Sequence, residues 1–350
     1  MDLAALEYPL PPSAIAQTPA EPREAARLLA IDRASGALRD HVVRELPDLL
    51  RPGDCLVVND SRVIPARVFA EDAGGRRIEL LFVEPLAPDR WRALVRPGRR
   101  CHARVELRAG GEGGARLRVE GVEPDGVRVI ERLDGTIEQL LATHGLPPLP
   151  PYIERHAKPG PEDAERYQTI YARTPGSIAA PTAGLHFSDD VVTRLRARGI
   201  EIHAVTLHVG PGTFRPIKSA RVEGHTVASE RVVISEATAR AVNAARAEGR
   251  RVVAVGTTAT RALESAAIAS GAAGGPGVVR AMDGRAELTI HPGHRFRVVD
   301  ALLTNFHLPR SSLLSLVFAL AGRDLILRAY AHAVANGYRF YSYGDATLIE

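Results

Sequence analysis

Cysteine is scarce in this chain of 350 residues: Cys55 and Cys101 are the only two, and neither belongs to a CxxC pair. A disulfide framework and a cysteine-based zinc site are therefore not expected. No apolar run reaches the roughly 18 residues that span a bilayer, so we expect no membrane segment. The first residues combine acidic side chains with prolines, unlike the basic start and apolar core of a secretory signal. We therefore expect a cytoplasmic protein.

Lysine is also nearly absent, since Lys158 and Lys218 are the only two. Almost all the positive charge behind the net charge of +4 is arginine, which binds phosphate through two N–H groups at once. A GC-rich genome would produce the same bias, so the charge permits a nucleic-acid partner without establishing one. Hydrophobic residues make up 45% of the chain, which is typical of a globular protein with a buried core.

Apolar strand patterns alternate with helix patterns over most of the chain. Strands are predicted at 54–60, 177–181, 200–209, 251–256, 298–306 and 338–349. Ser188 and Ser235 are predicted to cap helices that end at Gly199 and Gly249, and two further helices are predicted between 311 and 337. The order strand, helix, strand around Ser188 is typical of a right-handed crossover in a parallel sheet. The fold class predicted is α/β, with a mixed, largely parallel sheet and helices.

The stretch 66–155 has a different pattern, with short alternating strands, Gly and Pro turns, and no helix before about 136. This pattern predicts a small all-β barrel inserted into the α/β domain. The predicted domains are therefore a discontinuous α/β catalytic domain, 1–65 and 156–350, and an inserted β-barrel domain, 66–155.

Polar residues, glycines and histidines cluster where the predicted strands end. The clusters are NDSR (59–62), PTAGLH (181–186), HVGPGTF (208–214), GTTATR (256–261) and TNFH (304–307). In open α/β sheets, ligands bind beyond the carboxyl ends of the strands. Because five separate clusters follow strand ends, the sequence predicts an active site there.

Three histidines of these clusters, His186, His208 and His307, are candidates for proton transfer, since imidazole titrates near neutral pH. The alternative is a buried ring with a satisfied hydrogen bond. A metal site is a further alternative if His225 joins them. The sequence lacks HExxH and offers no cysteine ligand pattern, so we expect no metal.

GTTATR lacks the P-loop and dinucleotide-binding patterns. Thr257 and Thr258 at a helix start, with Arg261, are candidates for holding an anion such as a carboxylate, although helix capping would also explain the threonines. Glycines in two other clusters allow a flat ligand to approach the backbone or simply form tight turns. Asp345, inside the last predicted strand, needs a partner: either a catalytic role or a structural ion pair.

Arginines crowd the inserted domain, with Asp89 and Glu106 the only acidic residues among them. They are Arg90, Arg92, Arg96, Arg99, Arg100, Arg104 and Arg108. If several share one face, they form a phosphate-binding stripe. The alternative is a solvated strand edge protected by charge.

Several motifs together resemble the S-adenosylmethionine:tRNA ribosyltransferase-isomerases of queuosine biosynthesis. They are VVNDSRVIPAR (57–67), LPPYI (149–153), RYQTIYA (166–172), SIAAPTAGLHF (177–187), LHVGPGTFRP (207–216), GTTATRALES (256–265), LLTNFHLPRSSLL (302–314) and FYSYGDATLI (340–349). The chain departs from the family pattern at Ala228, where a histidine is usual, at Arg231, where an aromatic residue is usual, and at Pro211, where leucine is usual.

The resemblance implies an α/β domain with a β-barrel and a transferase of the cytoplasm. It implies transfer and isomerisation of the ribosyl part of S-adenosylmethionine, a co-substrate rather than a prosthetic group. The acceptor is 7-aminomethyl-7-deazaguanine at the tRNA wobble position, and the products are epoxyqueuosine, adenine and methionine. A monomer is expected. The alternatives are an RNA-binding module without chemistry and a metal-dependent hydrolase.

From their strand-end placement, His186 and His208 are expected to be catalytic, and Asp345 is a third catalytic candidate; no metal and no prosthetic group are expected. The remaining candidates bind substrate. Those expected to contact S-adenosylmethionine or the modified base are Asp60, Arg62, Thr182, Gly184, Gly210, Gly212, Thr257, Thr258, Arg261, Asn305 and His307; those expected to contact tRNA are Arg96, Arg99 and Arg100.

Overall fold

The structure is a computed structural model that describes residues 1–111, 113–155, 158–210, 212, 217–271 and 277–350. The chain divides into two compact units. The first comprises Met1–Arg62 and Gln168–Glu350, and the second comprises Val63–Tyr167. The expected limits of the inserted domain, 66 and 155, both fall inside the second unit.

Seventeen strands and eight α-helices are present in the described ranges. The strands are β1 (Arg27–Ile31), β2 (Leu38–Val42), β3 (Cys55–Asn59), β4 (Ser61–Val63), β5 (Arg67–Glu71), β6 (Arg77–Ala87), β7 (Arg90–Arg96), β8 (Glu106–Ala109), β9 (Ala115–Val122), β10 (Arg128–Arg132), β11 (Thr174–Ser177), β12 (Glu201–Leu207), β13 (Glu230–Ile234), β14 (Val252–Val255), β15 (Met282–Ala286), β16 (Ala301–Asn305) and β17 (Ala346–Ile349). The helices are α1 (Leu46–Leu49), α2 (Ile137–His144), α3 (Asp163–Arg166), α4 (Asp189–Ala197), α5 (Glu236–Ala247), α6 (Gly256–Ala269), α7 (Ser312–Ala321) and α8 (Arg323–Ala335).

The first unit is built on a mixed sheet of nine strands among its described residues, in the order β15-β13-β12-β3-β14-β16-β17-β1-β2. The neighbours β12, β3, β14 and β16 run parallel to one another. Their carboxyl ends therefore meet along one edge of the sheet. Strand β17 lies between β16 and β1, so it joins the β1–β2 hairpin to the rest of the sheet.

The central strands are buried on both faces, which explains their unbroken apolar sequence. Alternate residues of β3 enter different hydrophobic clusters: Cys55 and Val57 pack on one face, and Leu56 and Val58 on the other. Helices cover these faces, as in other α/β folds. The predicted mixed sheet with helices is confirmed.

Two predicted helix starts are confirmed by their caps. The Ser188 hydroxyl accepts the Val191 N–H at the start of α4, and the Ser235 hydroxyl accepts the Thr238 N–H at the start of α5. Gly199, after α4, has φ +73°, a left-handed conformation that glycine adopts without strain.

Three local predictions need correction. No strand forms at 178–181, because Ser177 turns the chain through hydroxyl bonds to Ala179 and Val209, and Pro181 lacks an N–H. Residues 182–186 form a 3₁₀ helix instead, so β12 pairs in parallel with β3 rather than with a strand just before α4. The last strand begins only at Ala346, after Asp345.

The second unit is a closed barrel of six strands in the order β10-β7-β6-β5-β8-β9, all paired antiparallel where their registers are described. Helix α2 begins with a capping box at Thr136 and adds Ile137, Leu140 and Leu141 to the barrel core. The predicted inserted all-β barrel is confirmed. The connections 72–76, 97–105 and 123–127 lie at the same end of this barrel because of the strand directions.

The helices in the described ranges are all too short or too polar to cross a membrane.

Candidate active site

A cavity opens at the edge of the first unit where β14 and β16 end. It contains about 460 Å³ of empty space, part of it open to solvent. Its described lining residues are Ala180, Pro181, Thr182, Ala183, Val209, Gly256, Thr257, Thr258, Thr304, Asn305, His307, Leu313, Tyr341 and Ser342. Four of the five strand-end clusters therefore contribute to one cavity.

One wall of the cavity is the N-terminus of α6. The helix begins at Gly256, directly after β14, and Gly256 makes this sharp change of direction with φ +89°. In the described structure no side chain caps this N-terminus, and the buried Thr258 hydroxyl has no hydrogen-bond partner. Free backbone N–H groups at a helix start attract anions. This wall is therefore suited to a carboxylate or phosphate.

A hydrogen-bonded chain connects Thr182, Asn305 and His186. The Thr182 hydroxyl donates to Asn305 Oδ1 at 2.9 Å. Asn305 Nδ2 donates to the Tyr341 carbonyl at 3.1 Å and lies 3.2 Å from His186 Nε2. Burial, helped by the charges of Arg339 and Arg23, lowers the pKa of His186 to about 4. His186 is therefore neutral at physiological pH, and it does not belong to the described cavity lining.

His307 also lines the cavity. Its Nε2 lies 3.0 Å from the Thr304 hydroxyl, and its backbone N–H donates to the Tyr330 hydroxyl oxygen. Burial lowers the pKa of His307 to about 3, so this ring is also neutral. Together, His307 and Thr304 offer polar atoms of neutral groups to a ligand.

A second polar cluster lies where β3 and β12 end. The buried Asp60 carboxylate accepts the Thr206 hydroxyl at 2.6 Å and the Arg173 guanidinium at 3.0 Å. Nearby, the His208 ring packs against Gly176, where an added Cβ would lie 2.9 Å from its Cε1 atom. Burial and the Arg231 charge lower the pKa of His208, and its buried Nδ1 has no partner among described residues.

Arg261 is engaged inside the protein rather than in the cavity. Its guanidinium donates to the buried Glu230 carboxylate and to the carbonyls of Leu288 and Ala286. Glu230 in turn accepts the Gly210 N–H at 2.8 Å. The carboxylate contact expected of Arg261 is therefore not the observed arrangement, because Arg261 lies one turn beyond the helix start and Glu230 is its anion.

Asp345 also has structural partners. Its carboxylate accepts the backbone N–H groups of Arg27 and Arg339, at 2.9 Å and 2.7 Å, and lies 3.6 Å from the Arg339 guanidinium. It does not line the described cavity. The observed contacts therefore correspond to the structural alternative for this residue.

The remaining candidates occupy different environments. Gly184 is a packing position, because an added Cβ would clash with the Tyr171 hydroxyl. Gly212 packs against Ala228 in the same way. Arg62 is exposed on β4. Pro211 and residues 213–216 of HVGPGTF lie outside the described residues.

Tyr341 and Ser342, which belong to none of the five predicted clusters, also line the cavity. Tyr341 has φ +75°, a rare conformation for a non-glycine residue. The aromatic residues around it predict a strand, and this pattern conceals the turn. No group of three or more His, Cys, Asp or Glu side chains suited to a metal occurs in the described ranges, and His186, His208, His225 and His307 form no such group.

In the second unit, six of the seven arginines between 90 and 108 divide into two sets, and Arg108 lies exposed on β8. Arg90 pairs with Glu120, and Arg92 pairs with Glu84 and Glu123. The others lie at or beside the barrel end that carries the connections 72–76 and 97–105, with no ion pair in the described structure. They are Arg96, Arg99, Arg100 and Arg104. This barrel end therefore carries four arginines outside ion pairs, together with Asp72, which interacts electrostatically with Arg100.

A ligand cavity at the carboxyl edge of a mixed sheet, in a chain with an inserted β-barrel, defines an α/β enzyme of two units. A family model described as "Queuosine biosynthesis protein" matches residues 3–349. The chain therefore belongs to the queuosine biosynthesis protein family, as its motifs predicted.

Similar proteins agree with this assignment. The S-adenosylmethionine:tRNA ribosyltransferase-isomerase of Moorella thermoacetica is 50% identical over 352 residues, covering 100% of both chains. That of Symbiobacterium thermophilum is 49% identical with the same coverage. A crystal structure of S-adenosylmethionine tRNA ribosyltransferase from Thermotoga maritima has a TM-score of 0.55 and 34% identity, covering 99% of this chain and 100% of that one.

The depressed pKa of His186 predicts a specific acid sensitivity. The ring has a pKa of about 4 when folded, against an ordinary value of 6.5, so the unfolded chain binds more protons between these values. The contribution of the neutral His186 ring to the free energy of unfolding is therefore fully present above pH 6.5. As the pH falls toward 4, the free energy of unfolding decreases by on the order of 3 kcal/mol. Urea unfolding of wild type and His186→Gln should be measured between pH 7.5 and 4.5. The free energy of unfolding should decrease less with falling pH in the variant than in wild type.

The matched control is His102→Gln, which removes an exposed histidine. It should follow the wild-type pH dependence. A His186→Gln protein that loses stability as steeply as wild type would contradict the assignment of a buried neutral ring.

Proposed function

We propose that this protein transfers and isomerises the ribosyl part of S-adenosylmethionine onto 7-aminomethyl-7-deazaguanine at the wobble position of tRNA. The products are epoxyqueuosine-tRNA, adenine and methionine. The chain is a transferase-isomerase of queuosine biosynthesis, as its relatives are named. The proposal for the site depends chiefly on one observation: the uncapped N-terminus of α6 and the unpartnered Thr258 hydroxyl line the same cavity.

S-adenosylmethionine carries a carboxylate that needs N–H or O–H donors, and the start of α6 supplies both. Thr257 and Thr258 line the cavity there and are 7% exposed. We place the methionine carboxylate at this helix start, where the helix dipole favours negative charge. The ion pair of Arg261 with Glu230 acts indirectly in this proposal, since Glu230 holds the Gly210 N–H near the end of β12.

The reaction also requires proton transfers. The sulfonium of S-adenosylmethionine acidifies the adjacent C5′ hydrogens, so a neutral base can begin the reaction, and protonation helps adenine to leave. His208 suits this role because its lowered pKa keeps the ring neutral and its Nδ1 has no partner in the described structure. Asp60, close to His208, can stabilise the imidazolium that forms. Asn305 and His307 complete the pocket for the ribose or the modified base.

The tRNA requires a positive surface, and the barrel end of the second unit provides one. Arg96, Arg99 and Arg100 form no ion pair within the described ranges, whereas Arg90 and Arg92 pair with glutamates. We assign phosphate contacts to the first three. A tRNA-modifying monomer of the cytoplasm, with no resident cofactor, completes the proposal.

Incubation with S-adenosylmethionine and tRNA carrying 7-aminomethyl-7-deazaguanine tests the function. We expect stoichiometric release of adenine and methionine, with a matching mass gain on the tRNA. Formation of S-adenosylhomocysteine instead would identify a methyltransferase. Tight tRNA binding with no small-molecule product would favour an RNA-binding module, and product formation that requires an added metal would favour a metalloenzyme.

Thr258 provides a test of the carboxylate site. Thr258→Val keeps the shape of the side chain but removes the hydroxyl, so KM for S-adenosylmethionine should rise about 10-fold, equivalent to about 1.4 kcal/mol. Thr258→Ser retains the hydroxyl and should remain close to wild type. Steady-state kinetics at saturating tRNA measures both, and an unchanged KM in Thr258→Val excludes this hydroxyl from binding.

The barrel arginines predict salt-dependent tRNA binding. Replacing Arg96, Arg99 and Arg100 together by Gln should weaken tRNA binding and reduce the slope of log Kd against log salt by about 2 to 3. The paired Arg90 and Arg92 provide the control, because their Gln variants remove charges that glutamates already neutralise. Filter binding at several salt concentrations distinguishes the two sets, and equal slopes for both would reject the assignment.

A further inference from the structure

We propose that His186 is a positioning residue, not a proton-transfer group: it orients the Asn305 amide so that Asn305 and Thr182 present hydrogen-bond acceptors to the cavity. This wall would then recognise an N–H or O–H donor of the bound ligand. The ligand identity rests on the proposed function, whereas the orientation of the three side chains does not.

The orientation of the Asn305 amide follows from its backbone partner. The Tyr341 carbonyl lies 3.1 Å from Nδ2 and can only accept, so this position must be the NH₂ group. Oδ1 therefore faces Thr182, whose hydroxyl donates to it at 2.9 Å. Rotating the amide by 180° would place Oδ1 against the Tyr341 carbonyl oxygen, so that two acceptors would face each other.

This orientation also determines the tautomer of His186. The Asn305 Nδ2 atom is 3.2 Å from His186 Nε2 and brings an N–H to it. His186 Nε2 must then carry a lone pair, and the ring proton resides on Nδ1. An imidazolium, or the opposite tautomer, would place N–H against N–H. Nε2 therefore cannot act as an acid while this contact exists.

What remains for a ligand follows from counting donors. Both N–H bonds of the Asn305 amide are used, and the Thr182 hydroxyl proton is used on Oδ1. Thr182 Oγ1 retains its lone pairs, and Asn305 Oδ1 retains one. Both residues line the cavity, while His186 does not belong to its described lining. The cavity wall at this point consequently offers acceptors only.

The backbone of Tyr341 supports this arrangement. Its φ of +75° is costly for a tyrosine, and such conformations persist where the surroundings impose them. The Tyr341 N–H donates to the Phe306 carbonyl at 3.1 Å, just after β16, while its own carbonyl meets the Asn305 amide. The turn is thus fixed against the same strand end whose side chain it orients.

S-adenosylmethionine has donors that suit two acceptors: the adenine amino group and the ribose 2′ and 3′ hydroxyls. A donor matched to a buried acceptor contributes strongly to discrimination, because an analogue lacking it leaves that acceptor unpaired. Three analogues of S-adenosylmethionine show which donor contacts the acceptors. One lacks the adenine amino group, one lacks the 2′ hydroxyl and one lacks the 3′ hydroxyl.

Calorimetric titration of the full-length protein with S-adenosylmethionine and these analogues tests the acceptor wall. We expect wild type to bind at least one analogue 10-fold or more weakly than S-adenosylmethionine. Thr182→Val, which removes one of the two acceptors, should reduce that difference in affinity at least 3-fold, and Thr182→Ser should restore it. Full discrimination in Thr182→Val, or no discrimination by wild type, overturns the donor assignment.

The tautomer is measured without a ligand, so its outcome is independent of the proposed function. In protein labelled with ¹⁵N-histidine, long-range ¹H–¹⁵N spectra at pH 7 should show His186 with a protonated Nδ1 and an unprotonated Nε2. His186→Gln supplies the assignment, because the corresponding signals disappear. A protonated Nε2 overturns the proposal.

Kinetics separates positioning from proton transfer. Gln can accept the Asn305 N–H but cannot transfer protons near neutral pH, so His186→Gln should retain kcat within about 5-fold. His186→Leu, which cannot accept, should raise KM for S-adenosylmethionine at least 10-fold. A loss of kcat by 100-fold or more in a folded His186→Gln protein would establish proton transfer by His186.

Discussion

Parallel pairing of β12, β3, β14 and β16 is the constraint on which the site depends. Because four strands end at one edge, residues separated by hundreds of positions in the sequence come together without any local signal linking them. Asn59 reinforces this edge: its amide exchanges two hydrogen bonds with the backbone of Leu207, and it accepts the Ser61 N–H. The strand ends are therefore fixed by hydrogen bonds that continue beyond the regular ladder.

Much of this edge could be predicted, because strand patterns and the residues after them are local properties. Position after a strand was enough to select Thr257, Thr258, Asn305 and His307, and all four line the cavity. Arg261 belongs to the same motif, but it forms an ion pair with Glu230 of a distant strand and does not line the described cavity. The sequence places Asp345 inside a strand, where an acidic residue suggests a function. In the structure its carboxylate accepts two backbone N–H groups, which gives it a structural role. Long-range partners of charged groups are not readable from one sequence.

The barrel shows the same limit in its electrostatics. Composition revealed an excess of arginine between 90 and 108, yet strand pairing decides which of these charges remain. Arg92 lies across the sheet from Glu84 and forms an ion pair with it, whereas Arg99 and Arg100 follow β7 in a turn and form no ion pair in the described structure. The strand register, which is hard to read from one sequence, thus determines which arginines pair with glutamates. The arginines outside ion pairs are concentrated at one end of the barrel.

The place of β17 has a consequence for how the chain reaches its native state. Strands β1 and β2 are made first, but β1 joins the large sheet only through β17, more than 300 residues later. Without β17, the edge of β1 that faces the rest of the large sheet has no strand partner. Contacts between such distant segments close slowly because a long loop must be ordered before they form. Pairing of β1 with β17 therefore closes one of the longest loops in the described chain, and we expect it to form late in folding.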